Sequence, residues 1–133
     1  MFYSQGYAGA NAARRYAAVH SGSRIEGATP HALVKILFDE LLIALEATAL
    51  AERNQDRLKV SDKQARAMSI LIALESSLDF DQGGDVATGL AQIYREARRL
   101  LLVSAKERDP QPVEQARDII AEIADAWTQI GRA

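Results

Sequence analysis

Apolar residues recur at helical spacing in four stretches of the chain, and clusters of glycine, proline and polar residues cut between them. The run HSGSRIEGATP ends at Pro30, where Thr29 followed by Pro30 reads as an N-cap and a proline at the first helical position. A first helix is therefore predicted from about Pro30 to Ala51. ERNQDRLKVSD breaks it, and Ser61 or Asp62 can cap a second helix reaching about Leu78. DFDQGGD interrupts again, before a third helix from about Asp85 to Lys106. RDPQP is the last break, with a fourth helix from Pro112 to near Ile130 and Gly131 as its stop. Four helices joined by short loops, with no competing two-residue alternation, predict an all-α fold: an antiparallel up-and-down four-helix bundle. Residues 1–19 read as a short, weak helical segment with Tyr3, Tyr7 and Ala10 on one side, and residues 20–29 as a glycine-containing linker. The expected organisation is one domain over 1–133, the bundle occupying 30–131 and the N-terminal segment mobile.

The first helix is greasier than a bundle needs. Leu33, Val34, Leu37, Leu41 and Ala44 fall within about a quarter of the helical wheel, enough to face an interior. Phe38, Leu42, Leu45 and Ala49 extend one flank and Ile36, Ile43 and Leu50 the other, so the apolar arc spans about 280° at 100° per residue. Lys35, Asp39 and Glu46 form the one clearly solvated strip. On the third helix, Val86, Leu90, Ile93, Tyr94, Ala97 and Leu101 make a core stripe, while Leu102 and Val103 point away from its centre. The fourth helix, with Val113, Ile119, Ile120, Ile123, Trp127 and Ile130, is ordinarily amphipathic. With about 100° or somewhat more of each helix buried in a bundle, the surplus calls for cover by the N-terminal segment, a partner helix or a second copy.

Composition narrows the classes. The chain has 133 residues, enough for one core, and is 48% hydrophobic and 26% charged, as expected of a folded helical domain. A formal charge of -2, with arginines interspersed among acids, argues against nucleic acid as a partner. The absence of cysteine excludes disulfides, thiolate metal sites and thiol nucleophiles, and suits a reducing compartment. MFYSQGYAGANAARRY lacks the form of a signal peptide, and no apolar run reaches the roughly 20 residues that span a bilayer. A cytoplasmic protein without membrane insertion is expected.

The stretch SLDFDQGGDVATGLAQIY is the best place for chemistry, and it fails each test. Asp79, Asp81, Gly84 and Asp85 match positions of a calcium loop, but Gly83, Ala87 and Leu90 occupy positions that should carry ligands. A phosphate loop needs a lysine and a hydroxyl residue after its glycines, whereas Asp85 sits where the anion would dock. As a turn, Gly83 and Gly84 end one helix and Asp85 caps the next, which accounts for every residue except Phe80. His20 and His31 follow no glutamate at the spacing of a bundle di-iron site. His31, beside Pro30, reads as a solvated surface histidine, and no serine has a histidine near it in the sequence to activate it. No catalytic residue, metal ligand or cofactor is assigned, and the chain is expected not to be an enzyme.

The order of its motifs resembles the flagellin export chaperones, the FliS family. The likeness rests on Tyr7; on Thr29, Pro30, His31 and Leu33; on Leu37, Phe38 and Asp39, similar to that family's Leu-Tyr-Asp; on Ser77, Leu78, Asp79, Gly83, Gly84, Val86, Ala87 and Leu90; on Ile93 with Tyr94 and Arg99 with Leu100; and on Asp125, Ala126 and Trp127. Phe38 replaces a tyrosine and Gly89 an asparagine, each removing a polar group. The resemblance implies a cytoplasmic bundle that binds the C-terminal segment of flagellin, prevents its premature polymerisation and assists its delivery to the flagellar type III export apparatus, whose components are further partners. A helical regulatory adaptor that sequesters a transcription or assembly factor is the alternative. The residues expected to meet the partner are Tyr7, Ile36, Phe38, Leu42, Ile43, Leu50, Leu102 and Val103.

Overall fold

A computed structural model describes residues 27–132, which form four helices and no strand. They are α1 (Pro30–Arg53), α2 (Arg57–Ser76), α3 (Phe80–Glu107) and α4 (Gln111–Arg132). The N-terminal helical segment and linker, with Tyr7, lie outside the described residues. Connections of three residues make consecutive helices neighbours, α1 packs most extensively against both α2 and α4, and the ring closes through α2 with α3 and α3 with α4. This is the four-helix bundle that the apolar periodicity predicts.

Local chemistry sets the helix starts. Thr29 is the N-cap of α1, its hydroxyl accepting from the Ala32 amide at 3.1 Å, and Pro30 opens the helix. Two boundaries differ from expectation. α2 starts at Arg57 because Asp56, inside a run read as linker, accepts from the Lys59 amide at 3.2 Å. α3 starts at Phe80 because Asp79, not Asp85, is its cap, accepting from the Gln82 amide at 3.1 Å. The glycine pair therefore lies inside α3. Gly84, at φ 52° and ψ -128°, breaks the helix one turn after it begins, in a conformation that glycine alone adopts readily.

The core is built from Leu37, Leu41 and Leu45 of α1, Ile70, Leu71 and Leu74 of α2, Tyr94 and Leu101 of α3, and Val113, Ile120 and Trp127 of α4. On α1 the buried side chains run from Ile36 through Ala44 and Leu41 to Ala49, an arc of about 220° at 100° per residue. The expectation that the bundle covers about 100° of this helix is therefore corrected. Because α2 takes one flank and α4 the other, Ile36 and Phe38 are 6% and 1% exposed. Both are buried in the bundle, contrary to the reading of them as surplus surface.

Charge is buried at the edges of α1. Glu40, only 9% exposed, pairs with Arg66 of α2 at 2.7 Å. Glu52, fully buried, pairs with Arg57 across the α1–α2 turn. That second pair is incompletely satisfied, since Glu52 Oε2 and Arg57 Nε are buried without a hydrogen-bond partner.

Candidate functional site: apolar surfaces of the bundle

Among the described residues, an apolar pocket opens to solvent between α3 and α4. It has a volume of about 190 Å³ and is lined by Phe38, Val86, Leu90, Ile123, Ala126, Trp127 and Ile130. Every lining side chain is apolar. Val86 and Ile130 are each about half exposed, at 47% and 48%, and Leu90 and Ile123 are half-buried against the core. Such a slot can take one aliphatic or aromatic side chain, whose full burial contributes about 1.5–3 kcal/mol of gross transfer free energy.

Trp127 forms the fixed end of the pocket. Its indole Nε1–H donates to the His31 carbonyl at 2.9 Å, and its ring stacks on the His31 imidazole. Phe38 meets it edge to face, with centroids 6.4 Å apart. His31 is thus half-buried as a structural ring, which corrects its reading as a solvated surface histidine. Gly131 follows from the same contact. It lies within α4 rather than ending it, and a Cβ there would stand 2.3 Å from His31 Nε2.

Further apolar side chains stand on the outside of the bundle, on the diagonally opposed helices α1 and α3. Ile43 and Leu50 protrude from α1, 59% and 55% exposed, and Leu102 protrudes from α3. Of the other residues singled out from sequence, Leu42 is half-buried against the core and Val103 is half-buried. The structure therefore does not bring the seven described residues of that set together. It puts Ile36 and Phe38 inside the bundle, Ile43, Leu50 and Leu102 outside it on two helices, and Phe38 also at the base of the α3–α4 pocket. The pocket's other walls were missed because Val86, Leu90, Ile123 and Ile130 carry the same apolar spacing as core residues.

Polar features offer less. A depression of about 440 Å³ at the α3–α4 turn is lined by Asp109, Gln111, Pro112, Glu114, Gln115 and Asp118 and gives an apolar ligand no purchase. Among the described residues no three histidine, aspartate or glutamate side chains are placed to share a metal ion, and no helix is long and apolar enough to cross a membrane. Asp79 acts as a helix cap, while Asp81 and Asp85 are exposed. Serving as a cap and as solvated surface, this loop shows no arrangement for catalysis.

An apolar slot on a helical bundle is the arrangement of a protein that binds a partner. Similarity to known proteins shows the family. The family described as Flagellar protein FliS matches residues 12–133. The chain is 32% identical to the flagellar secretion chaperone FliS of Salmonella typhimurium, over 91% of this chain and 90% of that one. It is 30% identical to the protein of the same name in Vibrio cholerae, covering 86% and 85%, and 24% identical to the flagellar secretion chaperone FliSB of Pseudomonas aeruginosa, covering 90% and 94%. The chain belongs to the FliS family, which is a family of chaperones and not of enzymes.

Proposed function

We propose that the protein is a cytoplasmic export chaperone that binds the C-terminal segment of flagellin, holds it back from premature polymerisation and assists its delivery to the flagellar type III export apparatus. The observation that carries this reading is the all-apolar α3–α4 pocket on a chain of the FliS family. A client segment that is disordered alone needs an apolar anchor to offset the cost of ordering it. The pocket supplies that anchor, in the manner of a groove that takes one face of an amphipathic helix. Ile43 and Leu50, exposed on α1, extend the contact beyond the pocket.

Trp127 is the single tryptophan of the chain and stands in the pocket wall. Titration of the full-length protein with a peptide of the flagellin C-terminal segment is expected to release heat and to shift tryptophan emission with the same midpoint. A peptide that binds without disturbing Trp127 would move the client elsewhere on the bundle. Absence of binding would refute the reading.

A further inference from the structure

The α2–α3 face carries a second depression, of about 310 Å³, bounded by Ile72, Glu75 and Ser76 of α2 and by Phe80, Arg95 and Arg98 of α3. Its apolar rim stands out in solvent, Ile72 being 53% exposed and Phe80 49%. Phe80 is the residue that the turn reading of this stretch leaves without a role, and its position at the start of α3 sets it on this rim.

The polar wall is cationic. Arg95 Nε donates to Glu75 Oε2 at 2.9 Å, and Arg98 Nη1 donates to Glu75 Oε1 at 2.6 Å. Two guanidiniums thus share one carboxylate, a surplus of one positive charge among the residues that line the groove. Each guanidinium has five N–H donors and turns one of them to Glu75. The Arg95 side chain is 60% exposed, so its fork is open to a further acceptor. Glu75 fixes the direction of that fork in advance, which lowers the ordering cost of engaging it.

We propose that this groove is a docking surface for an acidic amphipathic segment of a partner protein. An apolar side chain of the segment enters between Ile72 and Phe80, and a neighbouring carboxylate pairs with Arg95. Neither contact suffices alone. An exposed ion pair contributes little, and a shallow apolar slot is unselective, but the two together specify a sequence of apolar and acidic residues. Charge disfavours the other occupants. Residues 1–26 of this chain contain Arg14, Arg15 and Arg24 against Glu26, a surplus of positive charge that the groove repels. Two copies related by a two-fold axis through the groove would bring guanidinium against guanidinium. The inference does not depend on the flagellin reading, because its residues lie apart from those of the Trp127 pocket.

The test is nitrogen-15 NMR of the full-length protein titrated with a short blocked amphipathic peptide of leucine and glutamate, and with the same peptide carrying lysine for glutamate. With the acidic peptide, the amides of Ile72 and Phe80 and the Nε–H of Arg95 are expected to shift, with affinity falling severalfold on raising salt to about 0.3 M. The lysine peptide should bind at least about tenfold more weakly. Arg95→Gln should lower affinity for the acidic peptide about two- to fivefold and Phe80→Ser on the order of tenfold, with melting temperatures checked beside them. Equal binding of the two peptides would overturn the proposal, as would shifts confined to Val86 and Trp127. It also fails if the peptide-free protein self-associates through Ile72 and Phe80, or if the peptide binds only after removal of residues 1–26.

Discussion

The imidazole of His31 lies flat on the indole of Trp127, with ring centres 4.3 Å apart and planes within 10° of parallel. This stack, with the hydrogen bond from Trp127 to the His31 carbonyl, joins the first turn of α1 to the last turns of α4 and holds the wall of the α3–α4 pocket. Gly131 leaves room for it. Gly131→Ala should displace the imidazole, and the loss of the aromatic pair, about 1 kcal/mol, should roughly cancel what alanine adds to the helix. In a His31→Ala background the obstacle is gone, and the same change should be stabilising, because alanine is the better helix former by about 1 kcal/mol. Thermal melts of the four proteins of this cycle, with near-ultraviolet circular dichroism of Trp127, measure the coupling.

The buried pair of Glu52 and Arg57 is expected to be a poor source of stability and a costly one to halve. Arg57→Met strands a carboxylate that is fully buried and should destabilise the bundle by about 3 kcal/mol. Glu52→Leu together with Arg57→Met removes both charges, along with the unpartnered Glu52 Oε2 and Arg57 Nε, and should restore most of the loss. Urea denaturation of the single and double variants decides between them. A double variant as unstable as the single one would show that the pair itself contributes.

Glu75 makes a pH prediction. Burial works to raise its pKa, but the hydrogen bonds and charges of Arg98 and Arg95 together outweigh burial and hold it below the ordinary carboxylate range. A depressed folded-state pKa means that the stabilisation is complete above the unfolded value, near 4.3, and is lost as pH falls through the folded value. Relative to Glu75→Gln, the unaltered protein should therefore be more stable at neutral pH, by about 1 kcal/mol or less for so exposed a cluster. The difference should shrink progressively below about pH 4. Melting curves of both proteins from neutral to acid pH follow it. A difference that grows on acidification would contradict the assignment.

The pocket and the buried flank of α1 separate in their response to charge. Val86→Asp and Ile130→Asp alter half-exposed walls and should weaken the flagellin peptide by tenfold or more, while the free protein stays folded. Ile43→Asp on the outer strip should weaken it less. Phe38→Ala opens a cavity in the core and should cost about 3–5 kcal/mol whatever the client does. Calorimetric titration of each variant, with circular dichroism of the free protein, distinguishes lost binding from lost fold. Full affinity in Val86→Asp and Ile130→Asp would remove the pocket from the client's path.

What could be read before folding was local or periodic. Thr29 with Pro30 marks the start of α1 because a cap needs only neighbours, and the four apolar stretches give the four helices. Asp56 escaped because it is one of several polar residues in ERNQDRLKVSD, and nothing local tells a capping aspartate from a solvated one. Gly83 and Gly84 misled for a related reason, since a glycine pair serves as a turn or as a single break inside a helix, and Asp79 decides by capping first. The site was less legible than the fold. Val86, Leu90 and Ile123 carry core spacing, and only the arrangement of α3 against α4 leaves them half open. Ile36 and Phe38 lie on the flanks of α1 and are buried because α2 and α4 close on both sides.

The break at Gly84 gives α3 two rotational settings on one continuous thread. Run straight through at 100° per residue, the helix would turn Phe80 to about 60° from Leu101, in line with buried Ala87 and Ala91. With the break, Phe80 stands half in solvent on the rim of the α2–α3 groove. The first turn is in effect a dial set independently of the shaft, so the aromatic at its tip points outward while the packing of Ala87, Ala91 and Tyr94 keeps its angle.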